Sequence, residues 1–250
     1  MANPVALEIC VESVEHAVAA ERGGADRIEL CSDLSSGGVT PSAGLMQTAR
    51  RHVSVPIHVL IRPRPGNFCY SPHEIEIMQE DIRAAKQIGM AGLVLGILDR
   101  DHRIDVRRVK KLIELASPLP VTFHRAFDLA KDRAAALEEV IQTGAHRILT
   151  SGGRERAIDA LLILRRLSAA AGQRIGIMPC GRINSANVRR IVRATAVSEI
   201  HTSVGISYLR STAKSPASGR RTRQHSPIGP SFEKNVAKLV QQLNGLSQQG

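Results

Sequence analysis

Short runs of aliphatic and β-branched residues recur along the chain, each followed by a stretch whose apolar positions repeat at helical spacing. Eight such runs stand out, at 5–10, 27–31, 56–61, 92–96, 121–125, 147–150, 174–178 and 199–203. One run follows the next after about 28 residues, the length of a strand, a helix and two short loops. The helix boundaries support this reading. Ser71-Pro72-His73-Glu74 forms a capping box with proline in the first turn, and Thr40-Pro41 predicts a cap of the same kind. Asp132 and Asn184 are candidate caps for later helices. Gly24, Gly89 and Gly144 fall where a helix must stop before the next strand.

Eight strand-helix units predict an α/β protein built as one closed (β/α)8 barrel of the TIM type. An open doubly wound sheet would place a glycine-rich loop after the first strand, and this chain has Cys10-Val11-Glu12-Ser13 there. Two strand approaches four units apart, Gly24-Ala25-Asp26-Arg27-Ile28 and Gly144-Ala145-His146-Arg147-Ile148, suggest a half-barrel repeat. The pattern divides the chain into strands and helices 1–7 over residues 1–205, a basic Ser/Gly/Pro-rich loop at 206–230 expected to be flexible, and a closing helix over 231–250.

Composition changes this picture little. The 250 residues are 43% hydrophobic and 23% charged, enough for one sizeable core. No apolar run reaches membrane-span length, and Met1 to Val5 lack a signal-peptide pattern, so a soluble, cytoplasmic protein is expected. The net charge of +11 raises nucleic acid as a partner, but no Trp, two Tyr and four Phe leave few rings for base stacking. Five of the basic residues, Arg210, Lys214, Arg220, Arg221 and Arg223, sit in the one segment before the last helix. Nucleic-acid binding is therefore disfavoured.

In such a barrel the chemistry gathers at the carboxyl ends of the strands. Alternation places Glu8 with Cys10, and Glu29 with Cys31, on the interior face of neighbouring strands, with Leu7, Ile9, Ile28 and Leu30 turned to the helices. Two interior thiols without a zinc-type spacing suit Cu(I) better than Zn(II) as ligands, and they equally suit small packing residues. Glu8 and Glu29 need cationic partners, for which Arg62, His124 and Arg125 are available. These groups read either as a structural salt-bridge network or as a catalytic set for a small phosphate or carboxylate metabolite. In the second case Arg62 and Arg125 clamp the anion, His124 or Glu29 moves protons, and Glu8 and Asp128 orient them. Ser151-Gly152-Gly153 would offer backbone N–H groups to the same anion. No organic cofactor is predicted. Cys69 has no evident partner, and His16, His52, His73, His102, His146 and His225 are expected on the surface.

The runs Leu7-Glu8-Ile9-Cys10, Gly23 through Ser32, Gly37-Gly38-Val39-Thr40-Pro41-Ser42, Ile61-Arg62-Pro63-Arg64, Phe68-Cys69-Tyr70-Ser71, Val121 through Asp128 and Leu149-Thr150-Ser151-Gly152-Gly153 resemble the CutC copper-homeostasis family over about residues 5 to 203. The resemblance implies a cytosolic (β/α)8 barrel, a homo-oligomer, and a link to copper tolerance with Cu(I) on Cys10 and Cys31. Two departures stand out: Cys180-Gly181-Arg182 after the seventh strand, where the family tends to carry glycines, and the basic segment beyond Ser203.

Overall fold

The computed structural model describes residues 5–204 and 230–247, so the basic loop expected at 206–230 lies, up to residue 229, outside the described residues. Among the described residues, eight strands alternate with eight α-helices. The strands are β1 (Ala6–Val11), β2 (Arg27–Leu30), β3 (Ile57–Leu60), β4 (Gly92–Leu95), β5 (Val121–Phe123), β6 (Arg147–Thr150), β7 (Gly176–Pro179) and β8 (Glu199–Thr202). The helices are α1 (Val14–Arg22), α2 (Ala43–His52), α3 (Pro72–Ile88), α4 (Val106–Ala116), α5 (Arg133–Thr143), α6 (Leu161–Ala171), α7 (Val188–Thr195) and α8 (Pro230–Ser247). Every ladder is parallel, in the order β7-β6-β5-β4-β3-β2-β1-β8, and β7 lies beside β8 to close the ring. The predicted (β/α)8 barrel is thus the observed one, as a single domain.

Alternation along the strands sorts the side chains into two layers. Leu7, Ile9, Ile28 and Leu30 face the helices and join the continuous apolar shell. Each such fully buried side chain contributes about 1.5–3 kcal/mol relative to exposure. Cys10, Cys31, Leu34, Leu60 and Val94 form a separate cluster within the ring. Two glycines on the strand β4 line make room inside. A Cβ on Gly92 would stand 2.4 Å from His58 Nε2, and one on Gly96 would stand 2.6 Å from His124 Nδ1. The imidazoles of β3 and of the turn after β5 therefore lie across β4.

Local signals locate most helix ends. Ser71 and Glu74 exchange both capping-box hydrogen bonds at the start of α3, and Asp132 accepts from Ala134 and Ala135 N–H at the start of α5. Gly89 and Gly144 stop their helices at φ 83° and 84°. The cap of α2 is Ser42, which accepts from Leu45 N–H, rather than Thr40. Thr40 Oγ1 instead accepts from Arg62 N–H, because its strand-like segment pairs with the end of β3. Asn184 does not cap α7 directly: it opens the preceding turn, accepting from Ala186 N–H, and α7 begins at Val188.

The repeated pentapeptide has a structural counterpart. Asp26 accepts from Leu7 N–H at the start of β1, and His146 Nδ1 accepts from Val121 N–H at the start of β5. Each side chain anchors the strand before its own. Helix α8 fills the last outer position between α7 and α1, with Val236 against Gly23 and Phe232 against His16. His16 is consequently buried, contrary to the surface position expected for it, because a helix more than two hundred residues away in sequence covers it.

Candidate functional site

The interior charges organise around Arg27, the first residue of β2, which the sequence pattern alone does not single out. Its Nε donates to Glu8 Oε2 at 2.5 Å and its Nη2 to Glu199 Oε2 at 2.5 Å, while Arg147 Nε donates to the same Glu199 at 3.2 Å. The two arginines of the repeated pentapeptides thus converge on one carboxylate. On its other oxygen Glu8 holds His201 Nδ1 at 2.8 Å, and Glu29 Oε2 lies 3.4 Å from that nitrogen. Glu8 and Glu29 therefore find their cations in Arg27 and His201, not in Arg62, His124 or Arg125. The reason is stagger: Glu8 stands opposite Arg27 on β2 and opposite His201 on β8.

These contacts set the protonation states. Burial opposes charge on Glu8, but the His201 hydrogen bond and the charges of His201, Arg27 and His58 outweigh it and hold the carboxyl well below the usual carboxylate range. Glu29 is pushed up to about 7, chiefly by burial, with the Glu8 charge adding to it against the pull of His201 and Arg27. Burial lowers His201, and the hydrogen bond to Glu8 with the charges of both carboxylates more than restores it, so its net shift is upward.

Above this cluster the two thiols face one another. Cys10 Sγ and Cys31 Sγ are 3.6 Å apart, and Cys31 Sγ also lies 3.5 Å from Val11 O. Both are buried and packed with Leu34, Leu60 and Val94. The hydrogen bond with Cys31, then burial, push the Cys10 thiol up, so it is protonated in the resting protein. Cys10 Sγ, a Glu29 oxygen and a His201 nitrogen lie within 4.8 Å of one another, a buried sulfur, oxygen and nitrogen set able to hold a metal ion. With Nδ1 tied to Glu8, His201 is oriented by a carboxylate in the manner of a metal-bound histidine. His201 lies in the last of the eight apolar runs, 199–203, and the sequence pattern alone assigns it no role.

The remaining candidate residues form two further groups. Arg62 and His124 meet on Phe68: the guanidinium carbon lies 4.8 Å from the ring centroid and the imidazole centroid 4.7 Å from it. Neither touches Glu8 or Glu29. The third group is the β6 loop, where the Asp128 carboxylate accepts from Thr150 Oγ1, Ser151 N–H and Oγ–H, and Gly153 N–H, and pairs with Arg125 Nε at 3.1 Å. Gly152 N–H donates to Thr150 Oγ1. Of the backbone donors expected to receive an external anion, Ser151 and Gly153 N–H are thus already engaged by the chain's own carboxylate, carried there by the 3₁₀ turn Arg125–Leu129, and Gly152 N–H by a hydroxyl. Cys69 donates its thiol to Asp99 O, Cys180 is buried with Leu149 and Met178, and Arg182 pairs with Glu155.

The CutC family model matches residues 5–206. A human copper homeostasis protein cutC homolog is 50% identical over 202 residues, which cover 81% of this chain and 74% of that protein. The chain belongs to the CutC family. A CutC family protein from Mesorhizobium japonicum is 45% identical over 78% of this chain and 76% of its own length. The crystal structure of CutC from Streptococcus agalactiae superposes with a TM-score of 0.76 at 32% identity, covering 80% of this chain and 98% of that one. Among the described residues of this CutC-family chain no helix is long and apolar enough to cross a membrane.

Proposed function

We propose that this CutC-family protein takes part in copper homeostasis by binding Cu(I) through Cys10 and Cys31, with His201 as a nitrogen donor held in place by Glu8. The carrying observation is the pair of facing sulfurs 3.6 Å apart beside an imidazole already fixed by a carboxylate. Thiolate and imidazole are the donors a soft monovalent ion prefers, whereas Glu29 is a hard ligand and supports the site through charge. The naming of the relatives for copper homeostasis agrees with this chemistry. All four cysteines are free thiols, which suits a reducing cytoplasm.

Binding displaces the protons of two thiols, so affinity rises with pH. The test is a titration of reduced protein with Cu(I) against a competing colorimetric chelator. One tightly held equivalent is expected in the wild type, and none in the Cys10→Ser plus Cys31→Ser variant. Unchanged stoichiometric binding by the double variant overturns the reading.

A further inference from the structure

Arg62 is a buried cation with an unusual set of partners. Its Nη1 donates to Gly38 O at 2.7 Å and to Ser36 O at 3.3 Å, and its Nη2 to Gly66 O at 2.9 Å. The face of Phe68 takes the guanidinium plane. Among the described residues no carboxylate pairs with it, and its Nε–H is buried without an acceptor. Neutral carbonyls and a ring solvate a guanidinium only in part. A buried charge with no counter-charge is costly enough that such residues are found paired or bound to a ligand.

Two further unpartnered polar atoms belong to the same corner of the barrel mouth. His124 Nδ1 accepts from Ala126 N–H at 3.2 Å, which fixes the neutral ring as the tautomer with its proton on Nε2. Burial, reinforced by the Arg62 charge, lowers this imidazole to about 3, so it is neutral throughout the physiological range. Its Nε2–H is buried and has no acceptor among the described residues. The Tyr70 hydroxyl is buried and meets no partner at strict hydrogen-bond geometry; Arg62 acts on it both through its charge and as a neighbouring side-chain donor, which leaves the Tyr70 O–H itself without an acceptor. Burial pushes it up to about 12, which keeps its proton in place as well. All three groups can donate and each lacks an acceptor. Phe68, which contacts both Arg62 and His124, is itself only partly buried. Gly96 is what lets the imidazole reach this position, since any side chain there would collide with the ring.

We propose that Arg62 Nε–H, His124 Nε2–H and the Tyr70 hydroxyl form a binding site for the carboxylate of a small monocarboxylic acid. Three donor hydrogens without acceptors around one cation suit an acceptor of a single negative charge. The guanidinium fork is spent on backbone carbonyls, and the nearby Arg64 is paired with Glu74, so the second cation that a phosphate dianion calls for is not offered. His124 acts here as a fixed neutral donor and not as a proton carrier. The site neighbours the thiol pair, since Gly38, which accepts from Arg62, packs against Cys31, but it uses none of the proposed copper donors and does not depend on the copper reading.

Acetate is the probe. The full-length protein, labelled with ¹⁵N, is titrated with sodium acetate at pH 7 and constant ionic strength while the His124 Nε2–H resonance is followed. Parallel titrations use sodium chloride and inorganic phosphate. A saturable shift with acetate is expected, weakened about tenfold in Tyr70→Phe, as befits one lost hydrogen bond to a charged group. Arg62→Lys, which keeps the charge but not the planar donor, should abolish the shift. Should Arg62→Lys fail to fold, Tyr70→Phe alone decides. A linear response, an equal response to chloride, tighter binding of phosphate, or undiminished acetate affinity in Tyr70→Phe overturns the proposal.

Discussion

Arg27 and Arg62 are both guanidiniums inside one barrel, and they are neutralised in opposite ways. Arg27, low in the ring, meets two carboxylates, Glu8 and Glu199, and shares the second with Arg147. Arg62, at the mouth, meets three backbone carbonyls and an aromatic face. The first arrangement closes its own charge balance and ties β1, β2, β6 and β8 across the interior. The second leaves positive charge in a low-dielectric setting beside neutral donors. The difference separates polar groups that hold the fold from polar groups that await a ligand, although both kinds lie inside the barrel.

The sharpest way to break this contrast is to remove Glu199. Among the described residues, Glu199→Ala leaves Arg27 and Arg147 with Glu8 as the one remaining paired carboxylate. Breaking a buried pair from one side costs about 3–5 kcal/mol, and the partial exposure of Glu199 places this case at the lower end. Urea denaturation should show a loss of about 3 kcal/mol. A loss below about 1 kcal/mol would mean that the ring is a bystander to stability.

A smaller effect distinguishes the mouth. His124 has a folded-state value near 3, lowered by burial and then by the Arg62 charge, against about 6.5 in an unfolded chain. As pH falls below 6.5 the unfolded chain takes up a proton that the folded ring refuses. Stability that is complete above pH 6.5 is therefore lost progressively towards pH 3, by up to about 1.4 kcal/mol per pH unit for this one group. His58, lowered to about 4 by burial, contributes a slope of the same sign. Between pH 7 and 5 the His124→Gln variant should show a shallower dependence, by up to one proton, with the His58 share intact. An identical slope in both proteins would show that His124 titrates normally in the fold.

Much of this architecture was legible in the chain. The recurrence of strand-helix units predicted the barrel, and the alternation in Leu7-Glu8-Ile9-Cys10 and Ile28-Glu29-Leu30-Cys31 predicted which faces turn inward. The same alternation puts Arg27 on the face of Glu29 and Cys31, and Glu199 on the face of His201, so the lower ring was readable had the rule been followed down each strand. Pairing was not readable. Which residue stands opposite Glu8 depends on the stagger of closure, a property of the whole ring. Nor could spacing show that Asp128 would fold back onto the loop after β6, since a 3₁₀ turn after β5 delivers it. Local chemistry is encoded locally, and the meeting of distant loops is not.

The finest contrast lies within the thiol site, between its soft donors and Glu29. Glu29 Oε2 is buried without a hydrogen-bond partner and lies near both Cys10 and His201, so distance alone would admit it as a ligand. Donor chemistry argues otherwise, because a carboxylate oxygen adds little to a soft monovalent ion that already holds sulfur and nitrogen. Glu29→Gln keeps the shape and one oxygen while removing the charge. Cu(I) affinity, read by the same chelator competition, should then change by no more than about threefold. That is a difference below about 0.7 kcal/mol. A collapse of affinity would instead show that binding needs a hard anionic ligand, and would move the proposal from Cu(I) to a divalent ion on Cys10, Glu29 and His201.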